Sequence, residues 1–451
     1  MRSRNVWLGT FNSEYFWREK ELADLPSITD AEANRIVGAM DELLFPLCNK
    51  EDVLLTRHAF DEALKEYLSD IGFSFQSTVA SIMEDSLPYG EPAAKSTCQL
   101  LCETGKKDYF TALLSKCSDV VPYSVLPYLQ EFCSLYKLPH KFPAIAIVKK
   151  VNSKVYSHQL LKELGREACG EVAYSAGELR ESGSRLLLEG SFLIKDDFGV
   201  SGKGNLLVKS GRMLEKVATY LEKQEKEGKL VRFLLEPFYE NKKLDFSCQL
   251  FIRENGEIEY VSVQNLLNSG FAYKGSKVSD KSFIDLITEK QYFDVIESTA
   301  DRLYREGYRG PVCIDSILLQ DDSIVPVIEI NARYSMGFIC NSLTKFAVSC
   351  NTDGMLSFLS LGCPAGISFE NILEGMKERG LLFDPCKEKG VIPLSANTLT
   401  MNRITGGLPD GQAPYKGRLY VFVCGSTDEV REEILTKLKA ALGEMQITIY
   451  G

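Results

Sequence analysis

A chain of 451 residues is too long for one compact core, and at 45% hydrophobic and 25% charged it has no low-complexity tract, so two to four globular domains are expected. A net charge of −10 argues against a nucleic-acid partner, which calls for a basic excess or stripe. The N-terminus lacks the apolar stretch of a secretion signal, and no run of about 18 apolar residues could span a bilayer, so the expectation is a cytoplasmic protein without a membrane partner.

Residues 1–147 alternate short apolar runs ("NVWLGTF", "DVLLTR", "AIAIVKK"), read as strands, with helical patterns. In "DEALKEYLSDIG" (61–72), Ala63, Leu64, Tyr67, Leu68 and Ile71 recur at helical spacing, and Gly72 suits the helix exit. This alternation predicts an α/β domain. The next two hundred residues are richer in hairpins. "SFLIKD" and "NLLVK" flank the loop "DFGVSGKG", and "FSCQLFIRENGEIEYVSVQ" (246–264) turns at "ENGE". "NLLNSGFAYKGS" (265–276), with Gly270, Gly275 and aromatics, reads as a loop bordering a substrate pocket. "EKQYFDVIESTADRLYREG" predicts a helix ending at Gly307, and "CIDSILLQDDSIVPVIEIN" (313–331) a hairpin turning at "QDDS". The chain closes on a strand, "RLYVFVCGS", and a helix, "DEVREEILTKLKAALG".

Thirteen cysteines are scattered without a C-x-x-C pair, as expected of reduced thiols. His58, His140 and His158 are too dispersed to suggest a zinc site or a Cys–His pair, and each reads as structural.

The loop in "IKDDFGVSGKGNLLV" holds Gly199, Gly202 and Gly204, with Lys195 before it and Lys203 inside it. It is neither a P-loop nor a dinucleotide fingerprint. Glycines let backbone amides approach an anion and lysine adds a compact positive charge, so the loop reads either as a phosphate cover or as a plain surface hairpin.

Asp315 and Glu329 are equidistant from Asp322 at the centre of their turn. If that hairpin closes symmetrically, the two acids face each other with Cβ atoms about 4.5–5.5 Å apart. Asn331 lies two residues on, on the same face as Glu329. Opposed carboxylates repel unless a cation sits between them, and three oxygen donors without histidine or cysteine suit Mg²⁺, with Mn²⁺ as the alternative ion. A register slip or a shared proton would account for the pair without metal. Arg333, again on that face, suits a phosphate or carboxylate.

Taken in order, Lys154 in "NSKVYSHQLLKELG", then "IKDDFGVSGKGN", "LLEPFYENKKLDFS", "VCIDSILL" and "VIEINAR" resemble the ATP-grasp superfamily of carboxylate–amine and carboxylate–thiol ligases over roughly 148–350. The resemblance implies an α/β (α+β) ATP-grasp architecture. It has an α/β N-terminal domain (1–147), a core (148–350) with a mobile lid subdomain at about 148–236, and a C-terminal α/β segment (351–451). It implies ATP and Mg²⁺ as cofactors, with Lys154 and Lys195 on the ATP phosphates. Lys203 and the amides of Gly202 and Gly204 would close over the γ-phosphate. Glu236 would accept from the adenine amino group, and the backbone near Phe238 would pair with the ring edge. Asp245 would bind ribose, although extra residues in "ENKK" depart from the family spacing. Asp315, Glu329 and Asn331 would hold the metal, and Arg333 would steady an acyl phosphate. Read locally, "LLEPF" is also an ordinary strand end and Lys154 a plain helix-entry lysine.

The implied reaction activates an amino-acid carboxylate as an acyl phosphate and passes it to an amine or a thiol. The layout is similar to biosynthetic amino-acid and peptide ligases of natural-product pathways, including those that load L-glutamate onto an acyl-carrier protein in antibiotic assembly. A small-molecule amino acid and a carrier protein are therefore the expected partners. A free-amine acceptor, a phosphotransferase and a silent nucleotide-binding module remain the alternatives.

Overall fold

A computed structural model describes residues 4–26, 30–82, 95–166, 170–199, 204–269, 272–405 and 414–450. Its strands fall into three sheets in chain order.

The first sheet pairs β1 (Asn5–Leu8), β2 (Val53–Leu55), β3 (Gln76–Ser77) and β4 (Asp119–Pro122), all parallel, in the order β3-β2-β1-β4. Both faces are covered. Val6, Leu8, Val53 and Leu55 belong to one apolar cluster while Trp7 and Leu54 belong to another, which is why these strands are short continuous apolar runs. The third such run, "AIAIVKK", is a helix instead (Ile145–Val151). So short an apolar run carries no decisive periodicity; the helix follows Pro143 and buries Val148 and Val151, three residues apart, in the core behind the large sheet.

The second sheet is antiparallel, in the order β5-β8-β6-β7: β5 (Glu171–Ala173), β6 (Phe192–Asp196), β7 (Asn205–Val208) and β8 (Phe233–Pro237). Strand alternation divides its residues. Phe192, Ile194, Phe233 and Leu235 pack with Leu214 and Val217 of the Gly211–Lys226 helix, leaving Lys195 and Glu236 on the opposite face. A strap from the N-terminal domain joins this unit: Ala23 and Leu25 lie in its core, and the Ala23 amide donates to Leu230 O at 2.9 Å.

The third sheet contains β9 (Lys242–Ile252), β10 (Ile258–Ser269), β11 (Ala272–Val278), β12 (Gly310–Leu319), β13 (Ile324–Asn331), β14 (Gly354–Cys363), β15 (Gly390–Pro393), β16 (Tyr415–Cys424) and β17 (Thr448–Tyr450). Its order is β13-β12-β9-β10-β11-β14-β16-β15, with β17 also on β14, so the last hundred residues extend the same sheet as the central ones. The expected loop at 265–276 is the β10–β11 hairpin. Gly270 lies outside the described residues, while Gly275 answers a close approach: a Cβ on it would meet Leu356 O of β14 at 2.2 Å. Behind the sheet, Phe246, Leu250 and Ile314 pack on Tyr292, Ile296 and Leu303 of the Tyr292–Arg305 helix. The front therefore receives the alternate residues Asp245, Ser247, Gln249, Cys313 and Asp315.

Every described cysteine is free, and among the described residues no helix is long and apolar enough to cross a membrane.

Candidate active site

Asp315 and Glu329 are register partners across β12–β13, as are Cys313 and Asn331. The hairpin is not symmetric all the way to its turn. Nearer the tip, Ile317 pairs with Val325, so residues 326–328 bulge opposite Ser316. Pro326 has no amide to give the ladder, and the Ser316 hydroxyl donates to its carbonyl at 2.8 Å. Asp322 occupies the turn with φ +61°.

The Asn331 amide donates to Asp315 Oδ2 at 3.0 Å. Burial, reinforced by Glu329, pushes the Asp315 carboxyl up to about 7. Glu329 Oε1 accepts from Lys154 Nζ at 2.9 Å, and the same ammonium donates to Gly199 O at 2.7 Å. Burial alone would lower Lys154; Glu329 outweighs it, and the net shift is upward. Lys154 opens the Lys154–Glu163 helix, capped by Ser153, whose hydroxyl donates to Asp197 Oδ1 at 2.6 Å. The helix start is thereby fastened to the end of β6.

From the second sheet, Lys195 and Glu236 form a buried ion pair across β6 and β8. Gly204 has φ +93° and its carbonyl accepts from the Asp196 amide at 2.7 Å, closing the base of the glycine loop. Gly202 and Lys203 lie outside the described residues. The Phe238 amide donates to Ser191 O at 2.9 Å, so that donor is already engaged within the sheet. Asp245 Oδ2 accepts from Lys242 at 2.7 Å and Asn268 at 2.8 Å, and Asp245 stands on the face that carries Asp315.

Arg333 is buried. Its Nη2 donates to Asn331 Oδ1 at 2.9 Å and its Nε to Glu14 Oε1 at 2.9 Å. Burial alone would lower the guanidinium, but Glu14 carries the net shift upward. Glu14 belongs to the first domain, where its helix (Ser13–Trp17) is pinned by the Ser13–Ser124 hydroxyl contact at 2.6 Å. Glu14 is 3% exposed and its Oε2 is buried without a partner. A hydrogen-bonded line thus runs Glu14–Arg333–Asn331–Asp315.

One residue beside the site escaped the sequence analysis, and another was read there as structural. Glu14 gave no signal, because its partner lies 319 positions away. His158 lines a narrow cleft with Leu161, Glu236, Tyr239, Val325, Val327 and Ile328. Its position four residues after Lys154, on one helical face, was the available clue.

Among the described residues no group of three or more His, Cys, Asp or Glu could hold a metal. The donors on hand are two opposed carboxylates and one amide. They fit Mg²⁺, which keeps few protein ligands and completes its shell with water and phosphate; Asp315, raised toward neutrality beside Glu329, is what a cation would relieve.

The fold is that of ATP-grasp enzymes, and the proteins that this chain is similar to include ATP-dependent ligases. No family model matches the chain. Over 318 residues, 68% of this chain and 67% of the other, it is 25% identical to the [butirosin acyl-carrier protein]–L-glutamate ligase of Niallia circulans. Biotin carboxylase from Campylobacter jejuni, in a β,γ-ATP complex, shares the fold at TM-score 0.54 and 12% identity, over 99% of this chain and 92% of that one. An L-amino acid ligase from Bacillus licheniformis does so at TM-score 0.52 and 12% identity, over 100% and 99%. A third structure, the biotin carboxylase domain of a Hydrogenobacter thermophilus 2-oxoglutarate carboxylase with MgADP and bicarbonate, matches at TM-score 0.51 and 11% identity, over 100% and 91%.

Proposed function

We propose that the chain joins an amino-acid carboxylate to a carrier-protein thiol, with L-glutamate the first substrate to test. The observation that carries this reading is the opposed Asp315–Glu329 pair, with Lys154 on Glu329 and the Asn331–Arg333–Glu14 line beside it. The phosphate chemistry belongs to 148–350, between the lid at 148–236 and the large sheet.

A carboxylate oxygen of the substrate attacks the γ-phosphorus, the bond to the β–γ bridging oxygen breaks, and ADP leaves with that electron pair. A thiol or amine then attacks the acyl carbon, phosphate departs and the nucleophile's proton passes to solvent. Positioning and charge neutralisation dominate such a reaction. Lys154, Lys195 and Lys203 offset phosphate charge, with the amides of Gly202 and Gly204 closing over it. Glu236 and the backbone near Phe238 receive the base, Asp245 the ribose. Asp315, Glu329 and Asn331 would hold Mg²⁺, or Mn²⁺ with the same donors, and the bound ion would neutralise the phosphate oxygens. Arg333 steadies the acyl phosphate. The lone Glu14 Oε2 beside it favours a substrate that brings a cation next to its carboxylate, as an amino acid does. The name of the Niallia relative supports the carrier-thiol acceptor; that of the Bacillus neighbour supports a free amine as second choice.

The deciding experiment is an ADP-release screen over the amino acids, with amines or pantetheinyl carriers as acceptors. Release that depends on L-glutamate and carrier, with free phosphate, meets the proposal. Phosphate retained on the substrate identifies a phosphotransferase, and no release at all a silent module. Glu14→Gln is expected to raise the KM of the amino acid about tenfold and leave that of ATP nearly unchanged. Equal change in both KM values removes Glu14 from the substrate site.

A further inference from the structure

The first domain holds a buried cation to which none of the roles above applies. Arg57 stands two residues beyond the end of β2 and is 2% exposed. Its Nε donates to Thr97 Oγ1 at 3.2 Å and its Nη2 to Thr10 Oγ1 at 3.3 Å, both neutral hydroxyls. Among the described residues the guanidinium forms no ion pair, and Nη1 donates no hydrogen bond. Asp41 acts on it at longer range, and Asp41 Oδ2 accepts from the Arg57 backbone amide at 2.6 Å. Burial raises that carboxyl to about 7, so it is only partly ionised near neutral pH, and burial outweighs it in lowering the guanidinium. A charge this deep is as a rule paired.

The position of Arg57 indicates what would pair with it. In an open parallel sheet, ligands sit outside the carboxyl ends of the strands, where the strand order reverses. Here it reverses between β1 and β4. Thr10, which Arg57 contacts, is four residues before Glu14 in the segment leaving β1, and the Ser13 hydroxyl donates to Thr10 O at 2.7 Å. Glu14 meets Arg333, and the carbonyl of Tyr123, next after β4, accepts from the Tyr334 amide at 2.9 Å. The carboxyl ends of this sheet therefore face the candidate site. In the same segment Asn12 Oδ1 and Glu14 Oε2 are buried without partners, so it holds polar capacity that the chain does not use. A ligand carrying an ammonium for Glu14 and an anion for Arg57 would satisfy both.

We infer that Arg57 binds the second carboxylate of an acidic amino acid, the one that is not activated. This rests on the amino-acid reading under Proposed function and narrows the substrate to a dicarboxylate. The substrate would be held at three points, with its reacting carboxylate at Arg333, its ammonium at Glu14 and its other carboxylate at Arg57. A guanidinium takes a carboxylate through two charge-assisted hydrogen bonds and offers a neutral amide much less, so Arg57 would separate an acid from its amide.

The test compares L-glutamate with L-glutamine and L-aspartate with L-asparagine, beside the remaining amino acids, on the full chain with Mg·ATP. Hydroxylamine replaces the acceptor, so that no carrier is needed, and ADP and hydroxamate are read together. Wild type is expected to turn over one of the acids with a kcat/KM roughly 10–100-fold above that of its amide. Arg57→Met, which removes the charge and keeps the length, is expected to erase that ratio, and Arg57→Lys to restore part of it. Acid and amide used equally, amides preferred, or turnover confined to other amino acids overturns the inference while the ligase reading stands. A loss in Arg57→Met that is equal for acid and amide overturns it too, because a purely structural arginine gives that result. If no amino acid releases ADP, the ligase reading falls as well. A thermal melt checks that Arg57→Met is folded. If it is not, Arg57→Lys decides: a lowered acid-to-amide ratio meets the inference and an unchanged one overturns it.

Discussion

The second sheet and the large sheet each bring two ionisable side chains together, and the two pairs are opposite in kind. Lys195 and Glu236 neutralise each other across β6 and β8, and both are largely buried. Asp315 and Glu329 carry the same charge across β12 and β13; Lys154, the Asn331 amide, the Cys313 thiol and the nearby Arg333 moderate their repulsion. Without nucleotide, each partner of the first pair satisfies the other. The second pair raises the energy of the folded chain and makes sense as a seat for something positive. Breaking each pair should therefore damage different properties.

The largest expected effect is on catalysis. Glu329→Ala should lower turnover about 10³-fold or more while leaving the melting temperature within a few degrees of wild type. Activity retained in that variant would remove the metal assignment. The pair in the second sheet should respond in stability. Lys195→Ala leaves Glu236 buried and unpaired, at a cost of about 3 kcal/mol in a denaturant titration. A stability unchanged by that substitution would mean that water reaches Glu236, and the contrast between the pairs would fail.

Proton competition sharpens the comparison further. With the Asp315 carboxyl raised to about 7, Mg²⁺ affinity should hold above pH 7 and fall toward tenfold per pH unit below it. Mg²⁺ titrations at pH 6, 7 and 8 check this, and a flat profile would place the ion elsewhere. The smallest effect concerns the metal-free protein. A carboxyl raised in the folded state favours folding most at low pH, and that contribution is lost as pH rises from the unfolded value toward about 7. Asp315→Asn does not titrate, so above pH 7 without Mg²⁺ it should be more stable than wild type by about 1 kcal/mol. A loss of stability instead would mean that the acid is held by partners rather than strained.

Much of this was legible in the chain because it is local. The opposed acids followed from counting outward from Asp322, since a hairpin pairs residues close in sequence, and the pairing survives the bulge at Pro326, which lies on the tip side of the acids. The helix at 62–70 followed from apolar spacing, with Asp61 capping it and Gly72 beyond its end at φ +113°. The misread segments had ambiguous local signals. "AIAIVKK" is too short for periodicity to separate helix from strand, and Gly275 looked like a loop residue when it serves contact with a strand some eighty positions later.

The sequence by itself determined the hairpins, their facing acids, the lysines around them and the order of the motifs, because strand pairing, helical spacing and capping act over a few residues. Only the tertiary structure decided that Glu14 closes on Arg333, that the N-terminal strap enters the core of the second sheet, that the last hundred residues extend the same sheet as the central ones, and that His158 lines a cleft. Those contacts join positions hundreds of residues apart, or depend on how three sheets pack. Packing is chosen by the burial of whole faces, which no short stretch of residues encodes.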